Sequence, residues 1–261
     1  MSKQVSIYDV INKKRLFKNK LFLKPNHTLK SLADVLHRNG EIKDYYEFMK
    51  DIFDGVSPNN LFIYGKPGLG KTLLTKLVFE EIKREAENQG IDLLVITINC
   101  DEAVTEHSIL QKIVEQFPTP NNEPKKKLGY SIGRHNDYLH YLIDQYPGII
   151  VFVLDELDKA ECPEMINKII RIESKVSGQF PTVVGITNDS KLKDSFPPQL
   201  KSVLCENSLI INPYDAEQLL DIINARIEIA FHPGVIDGMV SPLCAAFAAQ
   251  EHGDVRRAID L

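Results

Sequence analysis

The sequence predicts an α/β fold built on a five-stranded parallel sheet, followed by a smaller helical domain. Five short apolar runs alternate with helical patterns between positions 60 and 213. These runs are LFIY at 61–64, LLVITI at 93–98, GIIVFVL at 148–154, TVVGI at 182–186 and LIIN at 209–212. Continuous runs of β-branched residues without polar alternation are typical of strands buried on both faces, as in parallel sheets. After Pro213 only helical patterns follow.

The apolar pattern divides the chain into three predicted parts. These are a lead-in segment at 1–57, a three-layer αβα domain at 58–212 and an incomplete helical domain at 213–261. The lead-in segment is polar, and apolar residues recur at helical spacing only between His37 and Asp51.

The helical domain carries clear start and stop signals. Asp215 and Gln218 form a capping-box pair ahead of an amphipathic helix of about four turns. The tripeptide His232-Pro233-Gly234 ends that helix. A second, alanine-rich helix is expected over about 239–250, and a third begins after Gly253-Asp254.

Composition excludes several classes of protein. With 261 residues, 43% of them hydrophobic and 26% charged, the chain is typical of a globular protein. The net charge of −5 argues against a surface that binds nucleic acid everywhere, so any DNA contact must be local. Scattered cysteines without a C-x-x-C pair disfavour a zinc site or a disulfide framework.

The amino-terminal region and the longest apolar run bear on location. Residues 1–30 are strongly basic, and this can equally be a solvated tail or a DNA contact. The longest apolar run, 148–154, is far shorter than the roughly 20 residues that span a bilayer, and no signal-peptide pattern is present. We therefore expect no membrane association and a cytoplasmic, nucleoid-associated protein.

The stretch GKPGLGKT at 65–72 matches the phosphate-binding loop G-x-x-x-x-G-K-[ST]. It follows a predicted strand directly and precedes a predicted helix, which makes a chance glycine turn the weaker interpretation. The candidate nucleotide-binding residues are Gly65, Lys66, Pro67, Gly68, Leu69, Gly70, Lys71, Thr72 and Leu73. Glycines let backbone N–H groups approach phosphate oxygens. Lys71 is predicted to bridge the β- and γ-phosphates, and Thr72 to bind Mg²⁺.

Polar residues at the ends of two later strands complete the predicted site. Asp155 ends the run GIIVFVLD and can hold the metal, while Glu156 can orient and polarise a water for attack on the γ-phosphate. Asn188 follows the strand TVVGI and can hydrogen-bond both that water and the γ-phosphate. Alone, an acidic pair is usually a helix cap and an asparagine a turn residue; with the loop they predict an ATPase site.

Five segments together resemble a known family. They are GKPGLGKT, VLDELD, GITNDSKL, INPYDAEQLLDII and EHGDVRRAIDL. Their order and approximate spacing resemble those of the archaeal origin-recognition (cell-division-control type) replication initiators, a clade of the AAA+ ATPases. The likeness extends from about Leu36 to the last residue, and the last two segments are close to diagnostic.

This resemblance implies a P-loop AAA+ domain with a helical lid, and ATP or ADP with Mg²⁺ as cofactors. In such proteins an arginine of the lid, here Arg256, reaches the nucleotide phosphates as a second sensor. His37-Arg38 and the turn at Pro213-Tyr214 would flank the adenine, mostly through backbone and packing contacts. The family's lid continues into further helices and a winged-helix DNA-binding domain, so we expect this sequence to be a fragment.

The resemblance also implies partners: double-stranded origin DNA, the replicative helicase or its loader, and self-association on DNA. An insertion at 118–137 carries Lys125, Lys126, Lys127 and Arg134, where initiators of this type have an element that touches DNA. An exposed loop kept soluble by its charge is an equally good interpretation.

One position departs from the family. Family members carry an arginine that serves the neighbouring subunit's ATP, and Gln199 stands in its place within FPPQLKSVL. Lys201 is the candidate substitute, but a point charge lacks the planar fork of arginine. We therefore expect weak hydrolysis, on the order of 10³-fold below an enzyme with an arginine finger. The expected activity is that of a nucleotide-controlled switch.

Two other functions remain open. A clamp-loader or branch-migration motor would hydrolyse ATP repeatedly, but the clamp-loader signature Ser-Arg-Cys is absent where LKSVLC stands. A signalling or transposition-associated ATPase with a similar core is the other alternative.

Overall fold

The computed structural model describes residues 16–24, 29–118, 131–161, 164–251 and 253–261. These residues form two compact units. The sheet unit comprises residues 30–212, and the helical unit comprises residues 213–261 together with the described residues before Lys30. No helix in the described ranges is long and apolar enough to cross a lipid bilayer.

The sheet unit contains the predicted five-stranded parallel sheet. Its strands are β1 (Leu61–Tyr64), β2 (Leu93–Asn99), β3 (Ile149–Asp155), β4 (Thr182–Thr187) and β5 (Asn207–Ile210). They lie in the order β2-β3-β4-β1-β5, and every neighbouring pair is parallel. The predicted α/β class is confirmed. In such a sheet the carboxyl ends of all strands share one edge, so the loops that follow β1, β3 and β4 are close together.

The prediction for the last strand was wrong in position and in burial. The strand begins at Asn207 and ends at Ile210, rather than covering 209–212. Asn207 and Ser208 pair with Leu61 and Phe62, and polar residues are tolerated there because β5 is an edge strand. Only the central strands β3 and β4 are buried along their whole length.

Helices cover both faces of the sheet. They are α1 (Asn39–Met49), α2 (Lys71–Asn88), α3 (Glu106–Gln116), α4 (Ile132–Gln145), α5 (Glu164–Ile169), α6 (Leu192–Ser195) and α7 (Pro198–Leu204). Successive strand residues point to opposite faces. Accordingly, Phe62 belongs to one apolar core, while Leu61 and Ile63 belong to a second core. The result is the predicted three-layer αβα arrangement.

The helical unit contains α8 (Ala216–Ala230), α9 (Val240–Glu251) and α10 (Val255–Asp260). The predicted capping box is confirmed: the Gln218 N–H donates to Asp215 Oδ1 at 2.8 Å, and the Asp215 N–H donates to Gln218 Oε1 at 3.2 Å. Residues from all three helices, among them Leu219 and Ala258, form one small core.

Residues 16–24 of the lead-in segment pack on the end of α8. Phe17 forms an antiparallel bridge to Phe231, and their ring centroids are 4.9 Å apart. The Lys18 N–H donates to the Ala230 carbonyl at 2.7 Å, and Arg226 Nη1 donates to the Phe22 carbonyl at 2.9 Å. This part of the segment is therefore bound to the helical unit.

Candidate functional site

The loop at 65–70 joins β1 to α2. Its positions require glycine for different physical reasons. Gly68 and Gly70 have φ of +76° and +83°, in the left-handed region that favours glycine. Gly65 does not. A Cβ atom at Gly65 would lie 2.5 Å from the carbonyl oxygen of Ile211, so the close passage of the neighbouring backbone requires glycine there. Access of phosphate to the backbone is the reason predicted for all these glycines, and the contact with Ile211 is an additional reason at Gly65.

The loop is anchored on one side and open on the other. The Leu69 side chain is buried in the apolar core that also contains Leu61 and Ile63. Lys66, Pro67, Gly70 and Thr72 are exposed, and Leu73 is half-buried. A Cβ atom at Gly70 would meet nothing within 4 Å. A ligand can therefore approach the backbone of the loop, while Leu69 holds the loop in place.

Lys71 is the first residue of α2, and its side chain reaches back to the loop. Its side chain is only 6% exposed. The Lys71 ammonium donates to the carbonyls of Gly65 at 2.8 Å and Lys66 at 2.9 Å, and to Asn188 Oδ1 at 2.7 Å. The structure thus brings together two predicted site residues that are 117 positions apart. These three acceptors match the three N–H donors of the ammonium. Phosphate oxygens are acceptors of the same kind and would take the place of the loop carbonyls, so this position fits a nucleotide phosphate chain.

Asp155 and Glu156 lie at the same edge of the sheet. Asp155 is buried at the end of β3, and its Oδ1 accepts the Glu156 N–H at 3.0 Å. Glu156 has a φ of +51°, a strained conformation for a residue with a side chain. Mg²⁺ is commonly held by one or two carboxylates together with phosphate oxygens, so Asp155 and the Thr72 hydroxyl are a suitable set of ligands.

The electrostatic environment of Glu156 favours proton uptake. Burial, followed by the negative charges of Asp101, Asp155 and Asp158, raises the pKa of Glu156. A carboxylate whose pKa is raised is a better general base near neutral pH. This direction agrees with the predicted task of Glu156, which is to orient and activate a water.

Sequence reasoning missed Asp158, the last acid of the motif VLDELD. Asp158 Oδ1 accepts the Thr187 hydroxyl at 2.7 Å and the Asn188 N–H at 3.1 Å. Burial acts to raise the pKa of Asp158. The hydrogen bonds from Thr187, from the Asn188 backbone and from its own backbone, together with the charge of Lys159, lower this pKa overall. One signal in the sequence could have indicated a role for Asp158: it is a third acid in the same motif as Asp155 and Glu156.

Arg38 has a side-chain role that the sequence did not indicate. The guanidinium is 4% exposed and pairs with Glu41 Oε1 at 2.5 Å. Its Nη2 donates to the carbonyl of Asn212 at 2.8 Å and to that of Leu69 at 3.4 Å. Arg38 therefore connects the loop to the last residue before Pro213. Its neighbour His37 has a φ of +58°. The predicted contacts of both residues with adenine stay predictions.

The residues near the family's arginine position are at the surface. Lys201 lies on α7 and pairs with Asp194 Oδ1 at 2.9 Å. Gln199 lies on the same helix, and its carbonyl accepts the Ser202 hydroxyl at 3.0 Å. The role of Lys201 toward a nucleotide stays a prediction.

The helical unit holds Tyr214 and Arg256. A Cβ atom at Gly253, which has a φ of +68°, would lie 2.5 Å from the Tyr214 carbonyl oxygen. The two segments that are close to diagnostic in the sequence, around Tyr214 and Gly253, are therefore in contact. Arg257 pairs with Glu251 at 2.7 Å, whereas Arg256 is exposed and makes no ion pair within the ranges that the structure covers. The choice of Arg256 over Arg257 stays a prediction from the family resemblance.

The basic insertion is only partly described. Lys125, Lys126 and Lys127 lie outside the described residues. Arg134 lies in the first turn of α4, where its N–H donates to the hydroxyl of the capping residue Ser131 at 3.4 Å.

The fold and this loop define the class of the protein as a P-loop ATPase with a helical lid. Two family descriptions match the chain: an AAA domain at 56–188 and a Cdc6 AAA+ ATPase-type lid domain at 220–261. The chain belongs to the AAA+ ATPases of the ORC1/Cdc6 type, as the sequence resemblance predicted.

Named relatives agree with this assignment. The ORC1-type DNA replication protein of Pyrococcus furiosus is 38% identical over 97% of this chain and 60% of its own length. The ORC1-type DNA replication protein 1 of Methanosarcina mazei is 37% identical over the same shares. A solved structure of the Aeropyrum pernix ORC1 protein in complex with DNA matches with a TM-score of 0.80 and 33% identity, over 95% of this chain and 63% of that one. The chain therefore spans about 60% of the length of these curated relatives.

Proposed function

We propose that this chain is the nucleotide-controlled part of a DNA replication initiator. It binds ATP or ADP with Mg²⁺ in the loop at 65–72, and the bound nucleotide controls binding to double-stranded origin DNA. The observation that carries the proposal is the position of Lys71, whose buried ammonium is surrounded by oxygen acceptors from the loop and from Asn188. Membership of the ORC1/Cdc6 type supplies the link to replication.

Each site residue has a distinct proposed task. The backbone N–H groups of the loop and the Lys71 ammonium bind phosphate oxygens. Thr72 and Asp155 would hold Mg²⁺, which when bound neutralises part of the phosphate charge. Glu156 orients a water and accepts its proton, and Asn188 donates to the γ-phosphate or to that water. Arg256 is proposed to respond to the nucleotide from the helical unit, and Tyr214 to pack beside the base.

We further propose that hydrolysis is slow, because the position of the expected arginine holds Gln199. A neutral amide supplies no charge to a developing transition state. Lys201 is already paired with Asp194, so it is a weak substitute. Single-turnover measurement with radiolabelled ATP should give a rate far below the roughly 1–10³ per second of typical enzymes. Unaided turnover at several per second would favour the motor alternative instead.

The proposed partners are origin DNA, the replicative helicase or its loader, and further copies of the chain on DNA. The DNA part is supported by 33% identity to a protein whose structure was solved in complex with DNA. Footprinting on a duplex that contains an origin, against a scrambled duplex, tests it. Sequence-selective protection that depends on the nucleotide is expected. Equal binding to both duplexes would contradict origin recognition.

The basic insertion gives a second, quantitative test of DNA binding. Neutralising Lys125, Lys126 and Lys127 should lower the slope of log affinity against log salt by about 0.9 for each phosphate contact that is lost. An unchanged slope would assign these lysines to solvent.

A further inference from the structure

A short hydrogen-bond chain joins the turn after β3 to the end of β4. The turn Leu157–Lys159 places Asp158 beside the last residue of β4, Thr187. Asp158 Oδ1 accepts the Thr187 hydroxyl at 2.7 Å and the Asn188 N–H at 3.1 Å. The same Thr187 hydroxyl oxygen accepts the Asp189 N–H at 3.0 Å, which fixes the direction in which the hydroxyl donates. The backbone around Asn188 is therefore held by one carboxylate oxygen.

Asn188 is held on two sides. Asp158 binds its backbone N–H, and Lys71 Nζ donates to its side-chain Oδ1 at 2.7 Å. With the amide oxygen directed at Lys71, the NH₂ group is the part of the side chain that can donate to a phosphate oxygen or a water. A shift of the β4 end would move both groups away from the phosphate loop.

A surface ion pair does not account for Asp158. Lys159 Nζ lies 3.9 Å from Asp158 Oδ2, and the Lys159 side chain is half exposed. An exposed pair at this distance contributes little. The charge-assisted bonds to Thr187 at 2.7 Å and to the Asn188 N–H at 3.1 Å are the stronger interactions of this carboxylate.

We propose that Asp158 is a positioning residue of the nucleotide site, which acts through Asn188 to distinguish nucleotides with and without a γ-phosphate. The inference rests on the proposed nucleotide binding at Lys71. Asp158 itself touches neither the loop nor a phosphate in this scheme. It fixes the end of β4 so that the Asn188 amide meets the terminal phosphate.

The test is a double-mutant cycle on nucleotide affinity. The dissociation constants of ADP and of a non-hydrolysable ATP analogue are measured with Mg²⁺ for the unchanged chain, Asp158→Ala, Asn188→Ala and the double variant. Asp144→Ala is the matched control. Asp144 and Asp158 are both 15% exposed. Asp144 lies on α4, which ends before β3 begins, and its carboxylate pairs with Lys175.

We expect Asn188→Ala to reduce the preference for the ATP analogue over ADP by about threefold to tenfold, the value of one hydrogen bond. Asp158→Ala should cause a similar loss, and the double variant should lose no more than Asn188→Ala alone. Asp144→Ala should keep the original preference. Asp158→Asn preserves the shape of the side chain but weakens its hydrogen bonds, so the preference for the ATP analogue should fall at least about twofold. This variant is used if Asp158→Ala does not fold.

Two results would overturn the inference. One is an unchanged preference in Asp158→Ala or, if that variant does not fold, in Asp158→Asn. The other is a double variant whose loss is the product of the two single losses, because independent effects multiply. A chain that binds neither nucleotide before any substitution would instead contradict the proposed function itself.

Discussion

Replacing Arg38 by methionine tests whether its guanidinium stabilises the sheet unit or serves only a bound nucleotide. Methionine keeps much of the apolar stem but removes every donor. The substitution leaves the Glu41 carboxylate without its partner at 2.5 Å and the Asn212 carbonyl without its donor at 2.8 Å. Removing one partner of a fully buried ion pair costs about 3–5 kcal/mol. Water can reach Glu41, which is 18% exposed, so about 2–3 kcal/mol is the expected loss.

Thermal unfolding followed by circular dichroism, without nucleotide, measures this loss. For a unit of 150–250 residues, about 2–4 °C is expected per kcal/mol, so Arg38→Met should lower the Tm by roughly 5–10 °C. The matched control is Arg84→Met. Arg84 is 72% exposed and lies 3.6 Å from Glu81, so this variant should change the Tm by about 1–2 °C at most.

The two variants separate a structural role from a ligand contact. A Tm of Arg38→Met no lower than that of Arg84→Met, combined with weaker ADP binding, would refute the reasoning and assign Arg38 to the nucleotide alone. Because Arg38 also bonds the Leu69 carbonyl of the loop, we expect ADP affinity to fall together with the Tm.

Two further predictions concern Gly253 and Cys100. Gly253→Ala should destabilise the helical unit by more than about 2 kcal/mol, because a Cβ atom would meet the Tyr214 carbonyl oxygen at 2.5 Å; Gly234→Ala, with a similar φ of +76° and open space, should cost about 1 kcal/mol in urea unfolding. Equal losses would show that the contact with Tyr214 is not tight. Burial and then the charges of Asp155, Asp158 and Glu156 raise the pKa of Cys100 to about 12. The native chain at pH 8 then has a thiolate fraction on the order of 10⁻⁴ at Cys100, so iodoacetamide should label the half-exposed Cys244 before Cys100, as judged by peptide mass spectrometry. Labelling of Cys100 as fast as Cys244 would contradict its burial.

Features that depend only on residues close together in the sequence could be predicted from it. The strands β3 and β4 appear as apolar runs because both faces of these strands are buried. The start of α8 was predicted correctly because a capping box is complete within four residues.

Features that depend on strand order or on contacts between distant elements could not be predicted from the sequence. Asn207 and Ser208 are polar, and only the edge position of β5 explains why they pair with β1. Position 65 requires glycine because the backbone at Ile211 passes close by, and Ile211 is 146 positions away in the chain. Asp158 and Arg38 bond groups on distant elements, so no local pattern indicates their partners.

The most direct test of the account is nucleotide binding by Lys71→Ala, measured by titration calorimetry with ADP and Mg²⁺. The matched control is Lys76→Ala, which removes an exposed lysine from the same helix, α2. We predict that the unchanged chain and Lys76→Ala bind equally, and that Lys71→Ala binds about 10–100-fold more weakly, because a charge-assisted hydrogen bond to phosphate is lost. Equal binding by Lys71→Ala, or no binding by the unchanged chain, would contradict it.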